Sequence, residues 1–372
     1  MSGPAVLVTG AAGLVGADTV ARLARRQRVL ALTHRNPEIV ATGGARIETV
    51  PLGAPEASSA QVVSVPADVR EPDFGLTDEQ LRALDGTVAG IVHCAATTAF
   101  NAPAADYAQL NVAGTAHAVA LAERWRVPLL YVSTAYVCGR RGGLIAEGDL
   151  DAAAGFGNGY EHSKFQAEQL VAAAADIEWS IVRPAIVTGA ADTGAIRDYK
   201  NLYTLVKLIV EGRLRRLPGR YDSTLSLVPV DFVADVVDEV WCRLGSGEMS
   251  VRGSTFHVTG DRPITLREIS DVFAEYPSFD IARFVPAASF SVEDLDPLER
   301  DYFERIGAQY TSYFDRVRTF DTTNTRQLMN RPLPATGADY LRTLLDYCLR
   351  SGYLGRPVLS VAAALAAEGV AV

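Results

Sequence analysis

Residues 5 to 16, AVLVTGAAGLVG, constrain the fold more than any other stretch of the chain. An apolar run with the β-branched residues Val6, Val8 and Thr9 leads straight into Gly10, Gly13 and Gly16, and the amphipathic segment GLVGADTVARLARR follows. Between a strand and a helix, such glycines allow a tight turn, close approach of backbone to a pyrophosphate, and tight helix–strand packing. The free N–H groups and positive dipole end of the helix then face the phosphates. A purely structural turn is the alternative. Because this turn opens a chain that alternates strand and helix, dinucleotide binding is the stronger expectation, at Gly10, Ala12, Gly13, Leu14, Val15 and Gly16.

That alternation runs through the first half of the sequence. After AVLVT come RVLALT, AQVVSVPADV, GIVHCAA, PLLYVSTA and WSIVRPAIV, with helical patterns between them. These include TDEQLRAL, where Thr77 and Gln80 fit a capping box, and the long DYAQLNVAGTAHAVALAERW. Continuous apolar strands separated by helices predict an α/β protein with a doubly wound parallel sheet, a Rossmann fold. Beyond about residue 190 the rhythm breaks, as expected for a second unit in a chain of this size. LSLVPV and STFHVTG still look like strands and DFVADVVDEVWCRL like a helix returning to the sheet. The expected organisation is therefore a cofactor domain of residues 1–190 plus 225–262, and a discontinuous substrate lobe of residues 191–224 and 263–350. Residues 351–372 form a tail, either a docked helix or a loose end.

Charge and cysteine usage remove several function classes. The chain has 35 basic and 44 acidic side chains, net −9, against the clustered Lys and Arg of a nucleic-acid binder. Four scattered cysteines form no CxxC pair and sit near no histidine cluster, so no metal is expected and reduced thiols are. The start MSGPAVLVTG has neither a charged n-region nor a cleavage site, and VLSVAAALAAEGVAV is too short to span a bilayer. A cytoplasmic protein without a membrane span is expected, and nothing opposes a homodimer.

The second strand ends in ALTHRN, with no acid before Glu38. An NAD site commonly places Asp or Glu there for the ribose 2′-OH. Arg35, with His34, instead suits a 2′-phosphate, so NADP(H) is expected; the alternative is a solvated loop charge. In NGYEHSKFQAEQL, Tyr160 and Lys164 stand four apart on one helix face, and YVSTAYV places Ser133 and Thr134 at a strand end. Each is unremarkable by itself. After a cofactor turn they suit hydride chemistry on a carbonyl: Tyr160 as acid, Lys164 lowering its pKa, and Thr134 holding the oxygen on which charge develops.

With these residues in view, the sequence resembles the extended short-chain dehydrogenases/reductases, and within them the thioester-reductase-like, male-sterility-like branch. PADVREPDFGLTDEQL, GIVHCAATTAFNAP, LNVAGT, PLLYVSTAYVCG, GYEHSKFQAEQLV, IVRPAIVTG and LVPVDFVADVV carry the resemblance over most of residues 5–240. It fades from Ser250 onward except at FDTTNTR. The resemblance implies NADP(H), a catalytic Thr134–Tyr160–Lys164 set, and Lys164 also on the nicotinamide ribose. It further implies Asp68 and Val69 beside the adenine, Ala95 and Ala96 along the cofactor, Pro184, Ala185, Ile186 and Val187 near the carboxamide, and Asn111 as a structural residue. Ser133, Thr97, Tyr136 and Arg216 are candidates for substrate contact.

No adenylation module or carrier precedes the reductase pattern, so the acyl group is expected on CoA or a separate carrier, or the substrate is a free aldehyde or ketone. Two features are read both ways. Arg213, Arg215, Arg216 and Arg220 either meet a phosphate or form a solvated basic helix end. Tyr302, Phe303, Tyr310, Tyr313 and Phe314 either line a pocket or build the lobe core. Two rival functions are a sugar-nucleotide epimerase or dehydratase with bound NAD, against which the acid-free second strand counts, and a non-catalytic NADP-binding sensor or scaffold, against which the intact Tyr–Lys pair counts.

Overall fold

A computed structural model describes residues 4–153 and 155–355. The tail sequence VLSVAAALAAEGVAV lies outside the described residues. Eight parallel strands form the main sheet: β1 (Ala5–Thr9), β2 (Arg28–Thr33), β3 (Val50–Pro51), β4 (Val62–Pro66), β5 (Val88–His93), β6 (Leu129–Val132), β7 (Trp179–Pro184) and β8 (Ser254–Val258). Their spatial order is β8-β7-β6-β5-β1-β2-β4-β3, so the chain reverses direction across the sheet between β1 and β5. β1 is buried along its whole length, and its side chains alternate between two cores. Val6 and Val8 pack into one apolar cluster, Ala5 and Leu7 into the other.

Helices cover both faces, as the apolar strands require. α1 (Leu14–Leu23) lies against α7 (Val230–Gly245) on one side. On the other are α2 (Asp78–Leu84), whose Thr77–Gln80 capping box is formed, α4 (Gly114–Trp125) and α5 (Gly159–Ala173). The long helix expected over residues 106–125 is not uniform. After α3 (Ala104–Asp106) the chain winds as a wider π-helix over Tyr107–Ala113 before α4 begins. Thr115 Oγ1 donates to the Asn111 carbonyl (2.7 Å) and competes there with the regular helix bond.

The predicted sixth strand also divides. Residues Trp179–Pro184 stay in the sheet, while Ile186–Thr188 pair in parallel with Leu227–Pro229. The lobe over the strand ends contains α6 (Leu202–Val210), α8 (Leu266–Ala274), α9 (Pro297–Arg305) and short ladders such as Arg216–Pro218 with Arg283–Val285. One stretch departs from the expected partition. Arg318–Phe320 forms a separate two-stranded ladder with Gly143–Ile145, and α10 (Thr323–Met329) packs on β8 and α7, so α10 lies against the sheet. The FDTTNTR segment does the docking: Asn324 Nδ2 donates to Thr255 O and Thr325 Oγ1 to His257 O. α11 (Ala338–Arg350) returns to pack on α8. Among the described residues, no helix is long and apolar enough to cross a membrane.

Candidate active site

The carboxyl ends of the strands open into one cleft with two ends. At its centre, Gly10 adopts φ +64°, and a Cβ there would come within 2.8 Å of the Ala95 backbone. A Cβ on Gly16 would lie 2.1 Å from the Gly10 carbonyl oxygen. Both positions therefore require glycine. No side chain caps the start of α1, which leaves its N–H groups to whatever lies over the turn. Thr9 Oγ1 accepts from the Cys94 and Ala95 N–H groups (both 3.1 Å) and pairs with His93 Nδ1 (2.8 Å), locking the loop after β5 beside the turn. Burial lowers the His93 pKa to about 3, so the ring is neutral.

One end of the cleft is lined by Thr33, His34, Arg35, Asn36, Asp68, Val69 and Arg70, with Ala12, Ala95, Ala96 and Thr97 towards the turn. Asp68 pairs with Arg70 (2.5 Å) and lies 3.8 Å from His34 Nδ1. The bonds from Arg70 hold its carboxyl down at about 2. Arg35 is exposed and has no ion-pair partner among the described residues. Three basic side chains thus surround one carboxylate that is already occupied. This fits a 2′-phosphate better than a ribose hydroxyl. Arg70 escaped sequence reasoning, although it stands two residues after Asp68 at the end of the strand that neighbours β2.

The other end holds Ser133, Thr134, Tyr136, Tyr160, Lys164 and Pro184–Val187, facing lobe residues that include Tyr310, Tyr313 and Phe314. The placement of Tyr160 and Lys164 is determined locally. Asn158 caps α5 by accepting from Glu161 N (2.9 Å), which puts Tyr160 in the first turn. Asn111 fixes the helix rotation: it donates to Ser163 Oγ (2.8 Å) and brackets Thr97 through both its N–H and C=O. Lys164 is buried, donates to Val132 O (2.8 Å), and sits 4.2 Å from the centre of the Tyr131 ring. Burial lowers its pKa to about 7, against the pull of Glu168 and Cys94.

The expected electrostatics of Tyr160 need correction. Burial pushes its phenol above the ordinary value, and the countervailing influence is a hydrogen bond with Thr134. Lys164 is turned to the Val132 carbonyl instead of tuning the phenol. The tyrosine is therefore a firmly protonated group at neutral pH. Thr134 is buried, its Oγ1 directed to Pro184 O (3.4 Å) and accepting from Tyr136 N (3.3 Å). The Ser133 hydroxyl is buried in the cleft wall with no partner among the described residues.

Two of the substrate candidates stand elsewhere. Arg216 is outside the cleft, ion-paired to Asp294 (3.5 Å), because the lobe supplies acids to each neighbouring arginine. Arg213 pairs with Glu211, Arg215 with Asp296 and Glu299, and Arg220 with Asp222. Thr97 is held by Asn111 and lines the other end of the cleft. The aromatic stripe serves both roles. Phe303 is core, whereas Tyr310 and Tyr313 pack against Phe100 (5.3 and 5.7 Å), which in turn stacks on Tyr160 (5.9 Å). Phe100, in the loop after β5, was not anticipated.

Residues 8–237 match the male sterility protein family. The chain belongs to that family. It is an NAD(P)-binding Rossmann protein of the extended short-chain dehydrogenase/reductase branch. An isonitrile lipopeptide synthase of Streptomyces coeruleorubidus is 25% identical over 385 residues, 95% of this chain and 25% of that protein. The L-2-aminoadipate reductase large subunit of Penicillium chrysogenum is 28% identical over 259 residues, 63% of this chain and 18% of that protein. The chain thus spans a quarter or less of the length of these curated relatives. Among solved structures, the terminal R domain of the myxalamid PKS-NRPS pathway superposes with a TM-score of 0.78 at 24% identity, covering 96% of this chain and 93% of that one. MoeE5 in complex with UDP-glucose and NAD gives 0.61 at 19% identity, covering 93% and 99%. Both likenesses concern the fold.

Proposed function

We propose that the chain is an NADPH-dependent reductase acting on a carbonyl or an acyl thioester. The observation that carries this reading is the convergence of Thr134, Tyr160 and Lys164 on one wall of a cleft whose floor is the glycine turn. The turn fits a pyrophosphate because Gly10 and Gly16 leave no room for a Cβ, and His34, Arg35 and Arg70 fit a 2′-phosphate. NADPH held there would supply hydride. Thr134 Oγ1 and the Tyr160 hydroxyl hold the substrate oxygen, and Tyr160 gives its proton as charge develops on that atom. Lys164, on the same helix face and held by the Val132 carbonyl, would hold the nicotinamide ribose. With a thioester, one hydride and one proton convert the C–S bond into C–H and S–H, leaving aldehyde and thiol.

Reductase names among the relatives support this reading, as does a solved thiolation-reductase di-domain of similar fold, which favours a substrate carried on CoA or a carrier protein. The apolar wall of Phe100, Tyr136, Tyr310 and Tyr313 suits the acyl end. The direct test follows NADPH absorbance against acyl-CoA, acyl-carrier, aldehyde and ketone panels. Consumption with any of these supports a reductase. Co-purified NAD, conversion of a UDP-sugar and no NADPH consumption would overturn it.

A further inference from the structure

The segment leading into α6 crosses the cleft, with Ile196, Asp198, Lys200, Asn201 and Leu202 in its lining. Two side chains tie it to the sheet. Arg197 Nη2 donates to the carbonyl of Ala12, inside the glycine turn (2.7 Å), and Asn201 Nδ2 donates to Thr98 O, in the loop after β5 (3.2 Å). Asn201 does so at φ +49°, ψ −107°, a conformation an L-residue keeps only where its surroundings impose it. Arg197 is half-buried, and its buried Nε has no partner among the described residues. The adjacent acid, Asp198, is taken by Lys200 (2.6 Å), so Arg197 has no carboxylate among the described residues. An uncompensated guanidinium and the uncapped N-terminus of α1 therefore concentrate positive potential at one place, over the turn.

We propose that Arg197 clamps the pyrophosphate of the dinucleotide, with Asn201 as the second anchor that keeps the segment across it. Nε and Nη2 lie on one edge of the planar guanidinium and match two phosphate oxygens side by side. A phosphate there also gives the stranded Nε donor the partner it lacks. The inference rests on the cleft being an NADPH site. CoA carries a pyrophosphate too, but contact with Ala12, in the glycine turn, favours the dinucleotide.

The test is a binding titration of the purified full chain with NADPH, adenosine 2′-monophosphate and CoA, in the wild type, Arg197→Gln and Arg197→Lys. Adenosine 2′-monophosphate keeps the basic end of the site and lacks the pyrophosphate. Arg197→Gln should weaken NADPH by about tenfold or more while leaving adenosine 2′-monophosphate within about twofold, as loss of one charge-assisted contact predicts. Arg197→Lys should recover part of the loss, and Asn201→Gly, which tolerates the same backbone angles, should speed NADPH release. Equal weakening of both nucleotides, a loss confined to CoA, or no loss would each overturn the clamp. Wild-type protein that binds neither nucleotide would overturn the cofactor reading beneath it instead.

Discussion

The sheet side of the cleft is assembled from strand ends, each giving a short contiguous run: Gly10–Gly16, His34–Arg35, Asp68–Arg70, Ser133–Thr134, Pro184–Val187. The lobe side draws on parts distant in sequence: the segment from Ile196 into α6, then Leu225, and then Tyr310, Tyr313 and Phe314. On the sheet side, roles follow from backbone geometry: a glycine that must be glycine, an uncapped helix, a capped helix that aims Tyr160. On the lobe side, roles follow from contacts no local pattern encodes.

Substitutions can break this contrast. Gly16→Ala should act most severely, since its Cβ would meet the Gly10 carbonyl at 2.1 Å. Overpacking of this kind costs about 1–3 kcal/mol and displaces the turn, so NADPH binding should be lost while circular dichroism still shows the fold. Thr134→Val should lower turnover by about 100-fold with NADPH affinity retained, the usual scale for one donor at a developing oxyanion. Arg35→Ser should cost about tenfold in NADPH over NADH preference, and less if Arg70 carries the phosphate alone. Arg216→Ala should change neither activity nor substrate KM, because the side chain belongs to a lobe ion pair of the exposed kind that contributes about 0–1 kcal/mol.

Lys164 sharpens the same contrast through pH. Its folded pKa, about 7, lies below that of an exposed lysine. Between these values the unfolded chain binds more protons, so stability should rise with pH from about 7 to about 10, by up to ~1.4 kcal/mol per pH unit from this group. Below pH 7 the burial cost is fully present. Lys164→Met should remove that slope from thermal unfolding measured without cofactor.

Much of the sheet side was legible in the sequence because strand–turn–helix units carry their signals within a few residues. The glycine turn, the Thr77–Gln80 box and the shared cleft of Thr134, Tyr160 and Lys164 all follow from local patterns. What escaped depends on distant neighbours. Arg216 reads as a free cation until Asp294 meets it, 78 positions away. Arg197 has no sequence signal at all; only the fold brings it to Ala12. Tyr160 is expected to draw its tuning from Lys164, but in the fold the ammonium meets Val132 O and the phenol is buried. Hydropathy gave no sign that α10 returns to pack on β8 and α7, since a short helix looks alike wherever it docks.

The central claim is that Tyr160 donates the proton in a site whose cofactor binding does not depend on it. Single-turnover reduction by Tyr160→Phe, with NADPH affinity measured on the same sample, tests this most directly. Turnover should fall by about 1,000-fold or more while NADPH affinity stays within about twofold. Reduction at the wild-type rate would contradict the account.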